Sequence, residues 1–329
     1  SRFQRLVANH VFTMNPPLHG PMRNLFAKQF MPGNVVRFAP IAETIVKELL
    51  GQACDRGEID YVAEFANVLA VRFWGELIGL TPGEESTLTA MSEQIAPAFF
   101  LGRSEQQTEA VERIAGEYLT LVSGAIDRTL AAGTQPFLAE MAAALASAEV
   151  DGKPARIGLL LGAILMDGFH TMAVGLANVS YALLANRAAH DRLRADPSLV
   201  TAAFYEGVRL ETAATFTQRY ALDDLVHHDV AIPRGTPITM LWYAGNRDPA
   251  AFVQPDSYDL GRSIGGGTTF GGGIHLCPGR SISKLLAEIV LTELIRADVL
   301  VSLSDSTPPW LAGSSMHQLE RMPVSFTRL

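Results

Sequence analysis

The sequence predicts a mainly α-helical fold with small β-sheets. Helical spacing of apolar residues dominates from Pro17 to about Leu184. Short β-prone pieces appear only after Tyr220, and no repeat or low-complexity linker divides the chain. Length alone allows two domains, but residues 1–329 read as a single domain sharing one core.

Four segments carry the helical pattern: Val36 to Gly51, Tyr61 to Leu80, Gln107 to Leu130 and Ile157 to Leu184. In each, apolar residues recur every three or four positions and so fall on one helix face. Pro82-Gly83, Gly133 and Asp151-Gly152-Lys153-Pro154 are the main breakers between them. Further on, Val230-Ala231-Ile232 and Pro237 to Tyr243 flank Pro233-Arg234-Gly235, which predicts a small hairpin. A glycine-rich loop leads into a last long helix, Pro278 to Ile295, and the alternation around Val324 and Phe326 predicts a final strand.

Hydrophobic residues make up 48% of the chain and charged residues 18%, which suits a globular protein able to enclose an apolar ligand. The formal charge of -8, with no long Lys/Arg cluster, argues against a nucleic-acid partner. With only Cys54 and Cys277 there is no disulfide framework, and two isolated cysteines suit a reducing cytoplasm. The longest apolar run, Ile157 to Met166, meets Asp167 and His170 before it is long enough to cross a bilayer. No signal peptide opens the chain, so neither a membrane span nor export is expected.

The most informative segment is Phe270-Gly271-Gly272-Gly273-Ile274-His275-Leu276-Cys277-Pro278-Gly279. Its glycines permit a tight turn and close approach to a flat ligand, and Pro278 suits a first helical turn. Cys277 is thereby expected at a helix N-terminus, where free N–H groups and the helix dipole favour thiolate over thiol. A thiolate is also the electron donor that an iron centre needs to cleave an O–O bond. Other readings fit less well. A buried structural cysteine would not need so many glycines. A phosphate loop has one residue too many between Gly273 and Gly279, with Arg280 where lysine is required. A zinc site lacks the paired cysteines.

The spacing F-G-x-G-x-H-x-C-x-G resembles the haem-binding signature of the cytochrome P450 family, with every fixed position present. The resemblance implies a helical fold of that kind and haem b (iron protoporphyrin IX) as cofactor. Cys277 would be the metal ligand, and Phe270, Gly271, Gly273, His275 and Gly279 would shape the cofactor site. Further landmarks follow the family order. Glu206 and Arg209, three apart and so on one helix face, resemble its structural E-x-x-R pair. Arg219 stands near the position of a haem-propionate contact. Where relatives carry the arginine that completes the E-x-x-R network, this chain has Ser257, with Arg262 nearby as a substitute.

Asn15-Pro16-Pro17-Leu18-His19-Gly20-Pro21-Met22-Arg23 resembles the family's D-P-P-x-H-x-x-x-R segment. His19 and Arg23, spaced i, i+4, can face one carboxylate, and with Arg219 and His275 would serve two propionates. Family members carry further helices, strands and a substrate-facing loop ahead of this segment, and these N-terminal elements are missing from the 329 residues.

Met166-Asp167-Gly168-Phe169-His170-Thr171 resembles the family's central A-G-x-acid-T helix. Thr171 and Gly168 fit the pattern, while His170 replaces the acid and Asp167 the alanine. Asp167, His170 and Thr171 are expected on one side as a polar, catalytic stripe, with His170 relaying a proton if its pKa is near neutral. The alternative for His170 is a plain hydrogen bond across a helix contact. By resemblance, Phe169, Ala213, Ala214, Thr215, Phe216, Ser315 and Met316 line the substrate pocket.

The resemblance implies monooxygenation of a small-molecule substrate, such as a bacterial natural product. Electrons would come from a separate ferredoxin or flavin-type donor, since no flavin or nicotinamide domain is visible. Two other readings stay open: a peroxide-using or non-hydroxylating haem-thiolate enzyme, and a non-catalytic binding or recruitment module.

Overall fold

The computed structural model describes residues 1–329 except 2, 5, 6, 8, 9, 17, 18, 146–148, 151, 152, 155, 156, 264, 266 and 297. Pro17 and Leu18 of the N-terminal motif and Asp151-Gly152 of the third breaker lie outside the described residues.

The chain runs through α1 (His19–Gln29), α2 (Ala39–Arg56), β1 (Glu58–Asp60), α3 (Asn67–Ile78), α4 (Pro82–Gln94), α5 (Glu105–Ala132) and α6 (Pro136–Leu145). The central α7 (Ile157–Leu184), α8 (Arg187–Ala195) and α9 (Val200–Leu210) follow. Then come β2 (Thr217–Tyr220), β3 (Leu225–His227), β4 (Val230–Ile232), β5 (Pro237–Met240), α10 (Arg280–Leu294), β6 (Val299–Leu303) and β7 (Pro323–Arg328).

Caps explain many of these boundaries. Thr81 and Glu84 form a capping box that opens α4, and Ser104 with Gln107 does the same for α5. Glycines at positive φ close three helices: Gly57 (φ 79) after α2, Gly79 (φ 75) after α3 and Gly133 (φ 65) after α5. The expected Tyr61–Leu80 helix is broken into a π turn at Val62–Ala66 followed by α3, and Asp60 and Glu64 accept backbone N–H groups where the chain enters it. The α10 helix begins at Arg280, so Pro278 lies in the turn before it and not in its first turn.

α7 is the axis of the core. It packs against α3, α5, α9 and α10, and its buried residues span its length from Gly158 to Leu183. The apolar stretch does not end at Met166. As a whole, α7 is long and apolar enough to cross a membrane, but 67% of its most hydropathic window is buried inside the protein, as expected of a core helix.

The sheets are small. β1, β7 and β6 form one antiparallel sheet in the order β1-β7-β6, with Ile59 opposite Val324 and Val301 opposite Phe326. The predicted hairpin pairs differently from expectation. Val230–Ile232 meets Leu225–His227 across the two-residue turn His228-Asp229, and Pro237–Met240 meets Thr217–Tyr220. Both turn residues have positive φ (45 and 63), the conformation whose twist matches a hairpin. Pro233-Arg234-Gly235-Thr236 is a separate turn, with Gly235 at φ 84, and it docks on the Ala221 carbonyl.

Gly79 and Gly133 separate backbone strain from crowding. A Cβ on Gly79 would stand 2.3 Å from Thr129 Oγ1, whereas one on Gly133 would meet nothing within 4 Å. Gly133→Ala is therefore expected to lower the unfolding free energy by about 1 kcal/mol through strain alone. Gly79→Ala should lose about 3 kcal/mol or more, read from urea unfolding of the two variants.

Candidate active site

The glycine-rich loop folds back on itself to present Cys277. Gly271 (φ 67) and Gly273 (φ 61) take conformations that disfavour other residues. The Gly271 amide donates to Thr268 and the Leu276 amide to Gly273, and the Cys277 amide donates 2.9 Å to the Phe270 carbonyl. The Phe270 ring stacks on Phe204 of α9 at 6.2 Å, and Arg23 of α1 donates to the Leu276 carbonyl. Two helices therefore hold the loop.

Burial pushes the Cys277 thiol up to about 11, outweighing the Gly279 and Arg280 amides that favour its charged form. The helix N-terminus does act on the sulfur, as the sequence implied, but in the protein alone desolvation wins. A metal cation supplies what the amides cannot, since a coordinating thiol is deprotonated outright.

Beside the loop sits a cluster of basic groups. The buried His19 ring lies 4.3 Å from that of His275, and its Nε2 has no hydrogen-bond partner. His19 is held below its ordinary pKa by burial and by Arg23. His275 is lowered by burial, then by His19, Arg219 and Arg23. Arg219 is exposed on β2 and donates only to the neighbouring Gln218 carbonyl. Among the described residues, neither Arg23 nor Arg219 pairs with a carboxylate. Mutually repelling cations around an orphaned imidazole fit a ligand that brings two negative charges, as the haem propionates do.

The polar stripe expected on α7 splits in two. At 100° per residue, Thr171 lies near Asp167 around the helix, His170 about 60° off it, and Phe169 nearly opposite. Asp167 is half-exposed, lies within electrostatic reach of Cys277, and places an oxygen 3.1 Å from His10 Nε2. His170 is buried, stacked on Phe99 at 4.6 Å and nearly coplanar with it. Burial drives His170 down to about 4, against the opposing pull of Gln318 and Asp167. The near-neutral value required for a relay is therefore not met. Phe169 turns into a small apolar cavity with Leu88, Met91, Ile95 and Tyr118 and does not face the Asp167 side. Gly168 has its own constraint: Trp74 Nε1 donates 2.9 Å to its carbonyl, and a Cβ there would lie 3.1 Å from the indole.

The remaining pocket candidates meet one another. Ala214 bridges to Met316, and both the amide and the hydroxyl of Thr215 donate to the Ser315 carbonyl. The Ser315 amide and hydroxyl in turn donate to Phe99. Phe216 is half-buried next to this junction in sequence. His10 and Phe99 were not found from sequence. His10 caps a short 3-10 turn and Phe99 ends another (Ala96–Phe99), both outside every motif, and only the folded chain brings them to α7.

Behind the loop, Glu206 and Arg209 are buried and paired bidentately, with Arg209 Nε donating to Oε2 at 2.5 Å and Nη2 to Oε1 at 3.1 Å. Arg262 Nε donates 2.8 Å and the Asp259 amide 2.9 Å to Glu206 Oε1, while Arg209 also donates to the Asn246, Pro255 and Ser257 carbonyls. Burial alone would raise Glu206, but Arg209, Arg262 and the Asp259 amide together hold it below its ordinary range. The network ties α9 to the loop segment ahead of Cys277.

The profile of the family described as Cytochrome P450 matches residues 98–310. The chain belongs to the cytochrome P450 family. Among curated relatives it is 29% identical over 321 residues to cytochrome P450 107B1 of Saccharopolyspora erythraea, covering 96% of this chain and 76% of that protein. It is 28% identical to 6-deoxyerythronolide B hydroxylase of the same organism (96% and 78%) and 29% identical to C-19 steroid 1alpha-hydroxylase of Sorangium cellulosum (93% and 79%). Among solved structures, P450BioI in complex with hexadec-9Z-enoic acid ligated acyl carrier protein superposes at a TM-score of 0.87, with 23% identity over 99% of this chain and 84% of that one. CalO2 superposes at 0.85, with 24% identity and coverage of 98% and 81%. As a cytochrome P450, the chain is a haem-iron monooxygenase whose substrates are small molecules and whose electrons come from a redox partner.

His170 gives this P450 a distinctive acid limb. Its folded pKa of about 4 lies below the unfolded value of 6.5. As pH falls from 6.5 toward 4, the unfolded chain takes up a proton that the folded chain refuses. Stability is therefore lost across that window, by about 3 kcal/mol at its lower end. His170→Gln should flatten this limb in urea unfolding measured as a function of pH.

Proposed function

We propose that this cytochrome P450 holds haem b through Cys277 and hydroxylates a small organic substrate in the cytoplasm. It would act as one haem-thiolate domain, with electrons from a separate ferredoxin or flavin-type donor. The observation that carries the reading is the meeting of three features. The half-buried Cys277 lies within electrostatic reach of Asp167 on α7, and the unpaired basic cluster stands beside its loop. The family match and the hydroxylases among the relatives support it.

When bound, haem supplies the iron at which O2 is activated. The protein positions and protonates. Cys277 is the ligand, with the Gly279 and Arg280 amides tempering the charge on its sulfur. His19, Arg23, Arg219 and His275 are suited to hold the propionates. Phe270, Gly271, Gly273 and Gly279 shape the loop, and Glu206 with Arg209 fixes its approach. Thr171 and Asp167, i and i+4 on one face, are the groups available to pass a proton toward the pocket. His170, neutral and stacked at physiological pH, is better suited to packing than to relay. Ala213 to Phe216, with Ser315 and Met316, form the wall a substrate would touch, and a bacterial natural product of medium size suits their mixture of small, aromatic and hydroxyl groups.

The test is the spectrum of the dithionite-reduced protein under carbon monoxide, where thiolate ligation gives a strongly red-shifted Soret band. Cys277→Ser should abolish that band while haem content is measured separately. A wild-type protein that binds haem without the band would overturn the assignment. Thr171→Ala is expected to retain the band but release several times more peroxide per electron consumed, and unchanged coupling would remove Thr171 from the proton path.

A further inference from the structure

We infer that Asp167, in contact with His10, anchors a cationic group, so that the substrate of this chain carries a protonated or quaternary amine. The inference rests on the haem-thiolate reading of the same site and narrows its substrate class.

Asp167 is the one Asp, Glu, Lys or Arg in the 28 residues of α7. Its neighbours Met166 and Phe169 are 7% and 4% exposed, while its own side chain is 41% exposed. A helix buried along so much of its length exposes a carboxylate only into a space left open by the fold. From there Asp167 acts electrostatically on the Cys277 sulfur. A half-exposed carboxylate on an otherwise apolar helix favours a cation beside it.

The described residues supply little compensation. His10 is 6% exposed, and its Nδ1 accepts the Phe12 amide at 3.2 Å, which places the ring proton on Nε2. Nε2 stands 3.1 Å from Asp167 Oδ2 without full hydrogen-bond alignment. A neutral imidazole orients the carboxylate but leaves the pair with a net negative charge. No lysine or arginine pairs with Asp167 among the described residues. Arg23 and Arg219, which flank His275, match the two propionates in charge.

Aromatic surface flanks the pair. The Phe12 ring lies 4.3 Å from that of His10 and is 54% exposed, and Phe99 covers His170 less than one turn along α7. A carboxylate with an exposed aromatic ring beside its histidine partner is the chemistry that recognises alkylated ammonium groups.

The experiment is calorimetric titration of the haem-loaded protein with benzyltrimethylammonium and with its uncharged carbon isostere, neopentylbenzene. The quaternary nitrogen has no lone pair and cannot ligate iron, so a preference for it reports the pocket and not the metal. The wild type should bind the cation about tenfold more tightly than the isostere. Asp167→Asn should bring the ratio to about one. Equal affinities in the wild type, or a preference that survives Asp167→Asn, would overturn the inference. The wild-type comparison needs no variant, so it stands even if Asp167→Asn folds poorly. The carbon monoxide band is recorded on the same samples. A normal band without cation preference sinks the substrate class alone, whereas a missing band sinks the haem-thiolate reading.

Discussion

The structure turns on the desolvation of one sulfur. Half-buried Cys277 is drawn in by the hydrogen bond from its amide to the Phe270 carbonyl and by a loop pinned to α1 and α9. In that position the neutral thiol is favoured, and two backbone amides cannot reverse the preference. The protein has built a site whose charged form is stable only with a cation against it. The basic cluster shows the opposite imbalance, with positive charge lacking an acid. One ligand with a metal centre and two carboxylates corrects both, and the rest of the fold keeps the two half-sites in register.

That register depends on elements far from any chemistry. Glu206 and Arg209 on α9, joined by Arg262 and the Asp259 amide, clamp the chain ahead of the loop. The clamp is buried and fully engaged, so removing any partner leaves a stranded charge. α7 plays the matching role on the other side, a long apolar rod gripped by several helices.

Much of this was legible in the residues. Long helices with regular apolar spacing, including the full extent of α7, were readable, and the cysteine loop was readable because its glycines encode backbone conformations directly. Strand pairing was not. His228-Asp229 lacks the usual glycine of a tight hairpin turn, so the more obvious Pro233-Arg234-Gly235 drew the pairing to the wrong neighbour. Side-chain direction on α7 was also hidden. The motif aligned Asp167 and His170 with one function, whereas packing leaves Asp167 half-exposed beside His10 and stacks buried His170 on Phe99. His10 carried no local signal, because its significance is created by an ion-pair partner more than 150 residues away.

The glycine of the central helix shows a different kind of dependence. Position 168 looks, from the motif, like a residue chosen for what passes in front of it. Its tightest neighbour lies behind, where the Trp74 indole takes its carbonyl and fills the room a methyl would need. The two positions are therefore coupled: a methyl at 168 requires the Trp74 indole to give by a few tenths of an ångström, so the shape of the central helix at this point is set from α3.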